Sequence, residues 1–129
     1  MAIHSPQRVG TGDDALRIDL APEIHRQRLV IEGNVRQSIS AGEIKDYLTG
    51  LSTVTDMVPL MIPMTHQSDL YGWAGWIHWE TSGAHFYAWD QPRRFFSVDI
   101  YTCKAFDPQD AVNYTVDFFS PTETTWFGF

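Results

Sequence analysis

Cysteine is nearly absent: Cys103 is the one thiol in 129 residues, which excludes an intramolecular disulfide and any site built on paired thiolates. Cations are scarce too, with nine Lys and Arg against sixteen Asp and Glu and a net charge of −7. Phosphate binding depends on a local surplus of cations, so no nucleic acid and no anionic membrane surface is expected as a partner, and a cationic small ligand suits the chain better. No apolar run approaches the roughly 20 residues of a membrane span. The N-terminus has no basic start followed by an apolar stretch, so the expected location is cytoplasmic. Dinucleotide (G-x-G-x-x-G), P-loop and nucleophile-elbow (G-x-S-x-G) signatures are missing as well. A chain of 129 residues has room for one domain, near the small end of self-sufficiency, where association with another chain helps.

Aromatic residues are plentiful: they make up 14% of the chain, include five Trp, and cluster between Trp73 and Tyr101. Large rings serve as core and dimer surface, and they also serve as a cage for a flat base or an onium cation. Both uses stay open at this point.

Residues 1–27 carry Gly10, Gly12, Asp13, Asp14 and Pro22 with little apolar content, and read as a flexible arm or an edge strand. From Arg28 the pattern becomes regular, and residues 28–129 read as the domain. Arg28 to Glu32 is a first strand ended by Gly33 and Asn34. Ser40 with Glu43 three residues on is a capping box for a helix through about Leu51, with Ile44, Tyr47, Leu48 and Leu51 on one face. Met57 to Met64 is apolar but holds Pro59 and Pro63, which confines a second strand there to an edge. Strands follow at about Trp73–Glu80, Ala84–Trp89 and Phe95–Cys103, separated by Thr81-Ser82-Gly83 and Asp90-Gln91-Pro92 turns. Asp107 before Pro108 starts a second helix through about Phe119, Pro121 stops it, and Thr122 to Phe129 closes the chain as a strand. The order β-α-β-β-β-β-α-β predicts an α+β two-layer sandwich with both helices on one face of a mostly antiparallel sheet.

Alternation sorts the strand residues. Trp76, His78 and Glu80 share a face, as do His85, Tyr87 and Trp89, and Ser97, Asp99, Tyr101 and Cys103. If the helices cover the opposite side, this face is a solvated surface, a site or a dimer contact. His78-Trp79-Glu80 has the H-x-E form of zinc deaminases, but their P-C-x-x-C partner needs more than one cysteine. His66, His78 and His85 with Glu80 fit no standard ligand spacing, so no metal site is expected.

The run Gly75-Trp76-Ile77-His78-Trp79-Glu80-Thr81-Ser82, then Trp89, then Val98-Asp99-Ile100-Tyr101-Thr102-Cys103, resembles the short bacterial S-adenosylmethionine decarboxylases. There an acidic residue and a serine (E-S-H-x-S-x-H-T-W-P-E) precede V-D-V-F-T-C on the next strand, and the order of elements corresponds along about 100 residues. The resemblance implies cleavage between Thr81 and Ser82, with Ser82 becoming a pyruvoyl group whose carbonyl is the electron sink for decarboxylation of S-adenosylmethionine in polyamine (spermidine) biosynthesis. It implies that Cys103 donates a proton to the product carbon. It places Glu80, Trp89, Asp99 and Trp76 as substrate-binding candidates around a homodimer or a pair with a paralogue.

The family's Glu before the serine is Thr81 here, and H-T-W-P-E reads Tyr87-Ala88-Trp89-Asp90-Gln91. Tyr87 therefore stands where the His that assists self-cleavage belongs, and a phenol ordinarily titrates near 10 against about 6.5 for an imidazole. His85 lies two residues earlier on the same face, a step of roughly 6.6 Å. Two further readings follow. An intact chain could use His78, Glu80, His85 or Tyr87 to cleave S-adenosylmethionine by a lyase or hydrolase route, or the chain could be a non-catalytic ligand-binding subunit.

Overall fold

A computed structural model describes residues 18–129, and among these the chain forms two helices and a six-stranded sheet. The elements are β1 (Gln27–Asn34), α1 (Ala41–Val54), β2 (Met64–Gln67), β3 (Gly72–Trp79), β4 (Ser82–Trp89), β5 (Phe95–Thr102), α2 (Pro108–Phe119) and β6 (Glu123–Gly128). The sheet order is β2-β3-β4-β5-β1-β6, antiparallel at every pairing. This is the α+β sandwich and the order that the sequence predicts. Most of the proposed N-terminal arm lies outside the described residues.

Helix α1 starts at Ser40, whose hydroxyl accepts from the Glu43 backbone N–H at 3.1 Å while the Glu43 carboxylate accepts from the Ser40 backbone at 3.0 Å. Both first-turn donors are thereby satisfied. The helix runs one turn beyond Leu51, to Val54. Asp107 caps α2 through the Gln109 N–H at 2.9 Å, and Ser120 ends it in a left-handed conformation with φ of 47°.

Leu29, Ile31, Ile77, Trp79, Phe86, Phe96, Val98 and Ile100 point to one side of the sheet and are buried there with Ile44, Tyr47, Leu48 and Leu51 of α1. The alternation that put them inward leaves Trp76, His78, His85, Tyr87, Ser97, Asp99 and Tyr101 on the opposite face, where no helix packs. The Trp79 indole N–H donates to Ser52 Oγ at 2.7 Å, and Ser52 in turn donates to the Leu48 carbonyl at 2.9 Å. That chain of bonds satisfies the buried polar atoms and pins the end of β3 to α1.

Two local expectations are corrected. The second strand is Met64–Gln67 at the sheet edge, not Met57 to Met64. Proline supplies no N–H, so the earlier segment pairs with the end of β3 only through Leu60 N–H to the His78 carbonyl (3.0 Å) and Glu80 N–H to the Val58 carbonyl (2.9 Å). The β3–β4 connection is the two-residue turn Glu80-Thr81, and Ser82 is already the first residue of β4, in register with Trp79 and Thr102.

Candidate functional site

The turn at Glu80-Thr81 and the strand ends beside it surround an open hollow of about 640 Å³, within the range of small-molecule sites. Four strands build it. His78 comes from β3; Ser82, Gly83 and His85 from β4; Asp99 and Tyr101 from β5; and Arg28 from β1. Glu80, Thr81 and Cys103 complete the lining. Register explains the convergence: His78, Gly83, Tyr101 and Arg28 form one cross-strand row, and Trp76, His85, Asp99 and Val30 form the next row on the same face. Gly83 contributes no side chain between His78 and Tyr101, which keeps the floor of the row open.

Ser82 sits in the alternation of buried Ala84, Phe86 and Ala88, so its hydroxyl turns toward the core. It donates to Met57 Sδ at 3.4 Å and shares a hydrogen bond of 2.8 Å with Thr81 Oγ1. The carbonyl of the Thr81–Ser82 peptide accepts the Cys103 backbone N–H at 2.9 Å. One backbone donor thus already polarises the carbon next to the serine hydroxyl, as a donor to an oxyanion does. Cys103 lies just past the end of β5, with an exposed thiol at the rim.

The other predicted residues divide. His85, Glu80 and Asp99 line the hollow, whereas Tyr87, Trp89 and Trp76 are on the open face outside it. Tyr87 stacks between His85, with ring centroids 6.4 Å apart and planes at 11°, and Trp89 at 6.0 Å. Trp89 in turn meets Tyr71 at 5.6 Å and Phe95 at 5.4 Å. Tyr87 and the Ser82 hydroxyl are on opposite sides of the sheet, five residues apart along one strand, roughly 17 Å of extended chain. Among the described residues no group of His, Cys, Asp and Glu is arranged to hold a metal ion.

Arg28 and Met57 carry site roles that alternation does not reveal. Arg28 donates from Nε to Asp99 Oδ1 at 2.9 Å and from Nη2 to Oδ2 at 2.6 Å, and its guanidinium lies 5.6 Å from the Phe129 ring centre. Hydrogen bonding to Asp99 holds the guanidinium above its ordinary pKa, against a smaller opposing effect of burial. Asp99 is therefore bound to an arginine, not a bare carboxylate. Periodicity assigns Asp99 to the open face; only the placement of β1 beside β5 joins Arg28 to it.

A family model for S-adenosylmethionine decarboxylase matches residues 36–128 of the chain. Among solved structures, the adenosylmethionine decarboxylase from Aquifex aeolicus VF5 is similar, with 15% identity and a TM-score of 0.66 over 82% of this chain and 89% of that one. At that identity the likeness shows the fold. No curated protein sequence matches.

Proposed function

The chain belongs to the S-adenosylmethionine decarboxylase family, and from that premise we propose that it acts on S-adenosylmethionine or a closely related amine through a pyruvoyl group made from Ser82. The observation that supports this most is the meeting of Ser82 and Cys103 at one hollow, joined through the Thr81 carbonyl at 2.9 Å.

The residues fit such a group. The Thr81–Ser82 bond lies at a two-residue turn, so cutting it leaves β4 fully paired with β3 and β5, and the ladder that holds residue 82 stays intact. In the proposed processing, Ser82 Oγ attacks the Thr81 carbonyl carbon and its proton passes to the Ser82 nitrogen as the C–N bond breaks, so the peptide becomes an ester and a free amine. Loss of the Ser82 α-proton expels the Thr81 carboxylate; the remaining enamine takes up water and releases ammonia to give the ketone. A pyruvoyl carbonyl supplies an electron sink for breaking a bond next to the substrate nitrogen. Around it, the exposed Cys103 thiol delivers a proton to carbon. Glu80 attracts the cationic end of the ligand, and Trp76, paired with His85 at the edge of the hollow, offers a ring face to a flat base or sulfonium. Trp89, at the far end of β4, packs instead against Tyr71, Tyr87 and Phe95. A second copy or a paralogue covers the open face, where Met64, Trp76, Tyr101 and Phe127 stand exposed, and the assembly works in the cytoplasm.

A second reading rests on a specific observation: the hydroxyl of Ser82 touches Thr81 and Met57 but no imidazole. An intact chain would then use His78, His85 or Glu80 to promote loss of the sulfonium leaving group, chiefly by positioning. Intact mass under denaturing conditions separates the two. Fragments meeting at Thr81 and Ser82, the later one reactive to borohydride, are expected for the pyruvoyl enzyme. A single chain of 14.8 kDa overturns it in favour of the second reading if product forms, or of a ligand-binding subunit if calorimetry shows binding without turnover.

A further inference from the structure

Arg28 stands in a hollow otherwise suited to a cation. The Arg28 side chain is 40% exposed and spends only its side-on edge, Nε and Nη2, on Asp99. A guanidinium carries five N–H donors in a planar fork, and Nη1 has no hydrogen-bond partner among the described residues. The end-on edge, formed by Nη1 and the second hydrogen of Nη2, is thus open while the group is held in place by Asp99 on one side and the Phe129 ring 5.6 Å away on another. Such an edge matches a carboxylate bidentately.

We propose that Arg28 is the binding group for the carboxylate of the ligand's amino-acid end, with Asp99 as the residue that positions it. The proposal rests on the reading of the hollow as a site for S-adenosylmethionine and adds what selects that molecule over its decarboxylated amine. In register, Gly83 and Arg28 flank Tyr101 in one row, two strand spacings or roughly 10 Å apart. Asp99 draws the guanidinium over β5, the strand between the two, and Gly83 adds no side chain on the β4 side of the row. The protein's net charge of −7 favours the amine, which carries one more net positive charge than the acid. Preference for the acid therefore requires a local cation, and Arg28 is the cation that lines the hollow. The contact belongs to the ground state: as carbon dioxide leaves, charge drains from the carboxylate, so the arginine contributes to substrate selection and not to the chemical step.

Calorimetric titration of the full-length Ser82→Ala protein, which cannot process, tests this with three ligands: S-adenosylmethionine, its decarboxylated amine and methylthioadenosine. The acid is expected to bind at least about tenfold more tightly than the amine. That preference is expected to vanish or reverse in Arg28→Leu, and to survive in part in Arg28→Lys, which keeps the charge without the fork. Equal affinities with Arg28 present overturn the proposal and leave the hollow's adenosyl reading standing. A preference that persists in a normally melting Arg28→Leu protein does the same. Absence of binding by all three compounds overturns the adenosyl reading itself. If Arg28→Leu does not fold, the acid-to-amine ratio in the parent decides alone.

Discussion

Cys103 donates its backbone N–H to the Thr81 carbonyl at 2.9 Å while its thiol stands exposed at the rim of the same hollow. In the proposed reaction one residue therefore offers two separable contributions, a main-chain donor to the carbonyl of the Thr81–Ser82 peptide and a side chain for proton delivery. Cys103→Ala keeps the first and loses the second. It is expected to leave cleavage at Thr81 and Ser82 within about twofold of the parent, followed by mass spectrometry, and to lower carbon dioxide release by roughly a hundredfold or more. Cleavage that stops along with turnover would place the thiol in processing instead.

The Thr81 hydroxyl shares its 2.8 Å hydrogen bond with Ser82 Oγ, where the family carries a carboxylate. Thr81→Val keeps the shape and β-branching but removes this contact, leaving Met57 Sδ at 3.4 Å as the serine's remaining partner. Sulfur is a weak acceptor that holds the hydroxyl loosely. Cleavage is expected to slow by about tenfold, with Thr81→Ser close to the parent. Equal rates for the Val and Ser variants would show that the hydroxyl orients nothing.

Trp79 supports the turn from below. It is fully buried, and its indole reaches Ser52 Oγ at 2.7 Å. Trp79→Phe leaves Ser52 with its bond to the Leu48 carbonyl but removes ring volume and one buried hydrogen bond. A loss of about 2 kcal/mol is expected in urea unfolding, seen as a lower midpoint at an unchanged slope.

Capping made the helices legible in the sequence. Ser40 with Glu43 and Asp107 with Pro108 place both starts where the structure has them, because a cap is a local contact that neighbouring residues settle among themselves. Alternation likewise separated the buried side of β3, β4 and β5 from the open one. The β3–β4 turn was less legible: Thr81, Ser82 and Gly83 all have turn chemistry, and only pairing with Trp79 and Thr102 draws Ser82 into β4. The same limit hid Arg28 behind Asp99 and Met57 behind Ser82, since each partnership joins segments far apart in the chain. The site shares this division: its strand residues follow from period two, whereas Tyr87, read at the position of a processing group, stands on the far side of the sheet from the Ser82 hydroxyl.

Alkaline pH is expected to weaken the fold through two tyrosines of the helix layer. Tyr47 is fully buried between α1 and α2, and burial pushes its phenol well above the ordinary value near 10, only partly offset by the hydrogen bond to Thr115 at 2.7 Å. Tyr114, which donates to the Tyr47 carbonyl at 2.8 Å, is pushed up to about 12, again chiefly by burial. Both folded values are raised, so the folded state holds these protons more tightly than the unfolded chain. Their stabilising effect is complete below about pH 10 and drains away as pH rises toward and past 12. Unfolding free energy is expected to stay flat between neutrality and about pH 9 and then to fall, with Tyr47 contributing up to about 1.4 kcal/mol per pH unit. Tyr47→Phe removes that titration. Thr115 keeps its bond to the Ala111 carbonyl at 2.7 Å, so the variant is expected to cost about 1 kcal/mol at pH 7 and to fall less steeply above pH 10. Urea midpoints of parent and variant from pH 7 to 11.5 check this: the gap between them narrows if Tyr47 titrates as described, and parallel curves would show that its proton is not what the folded state protects.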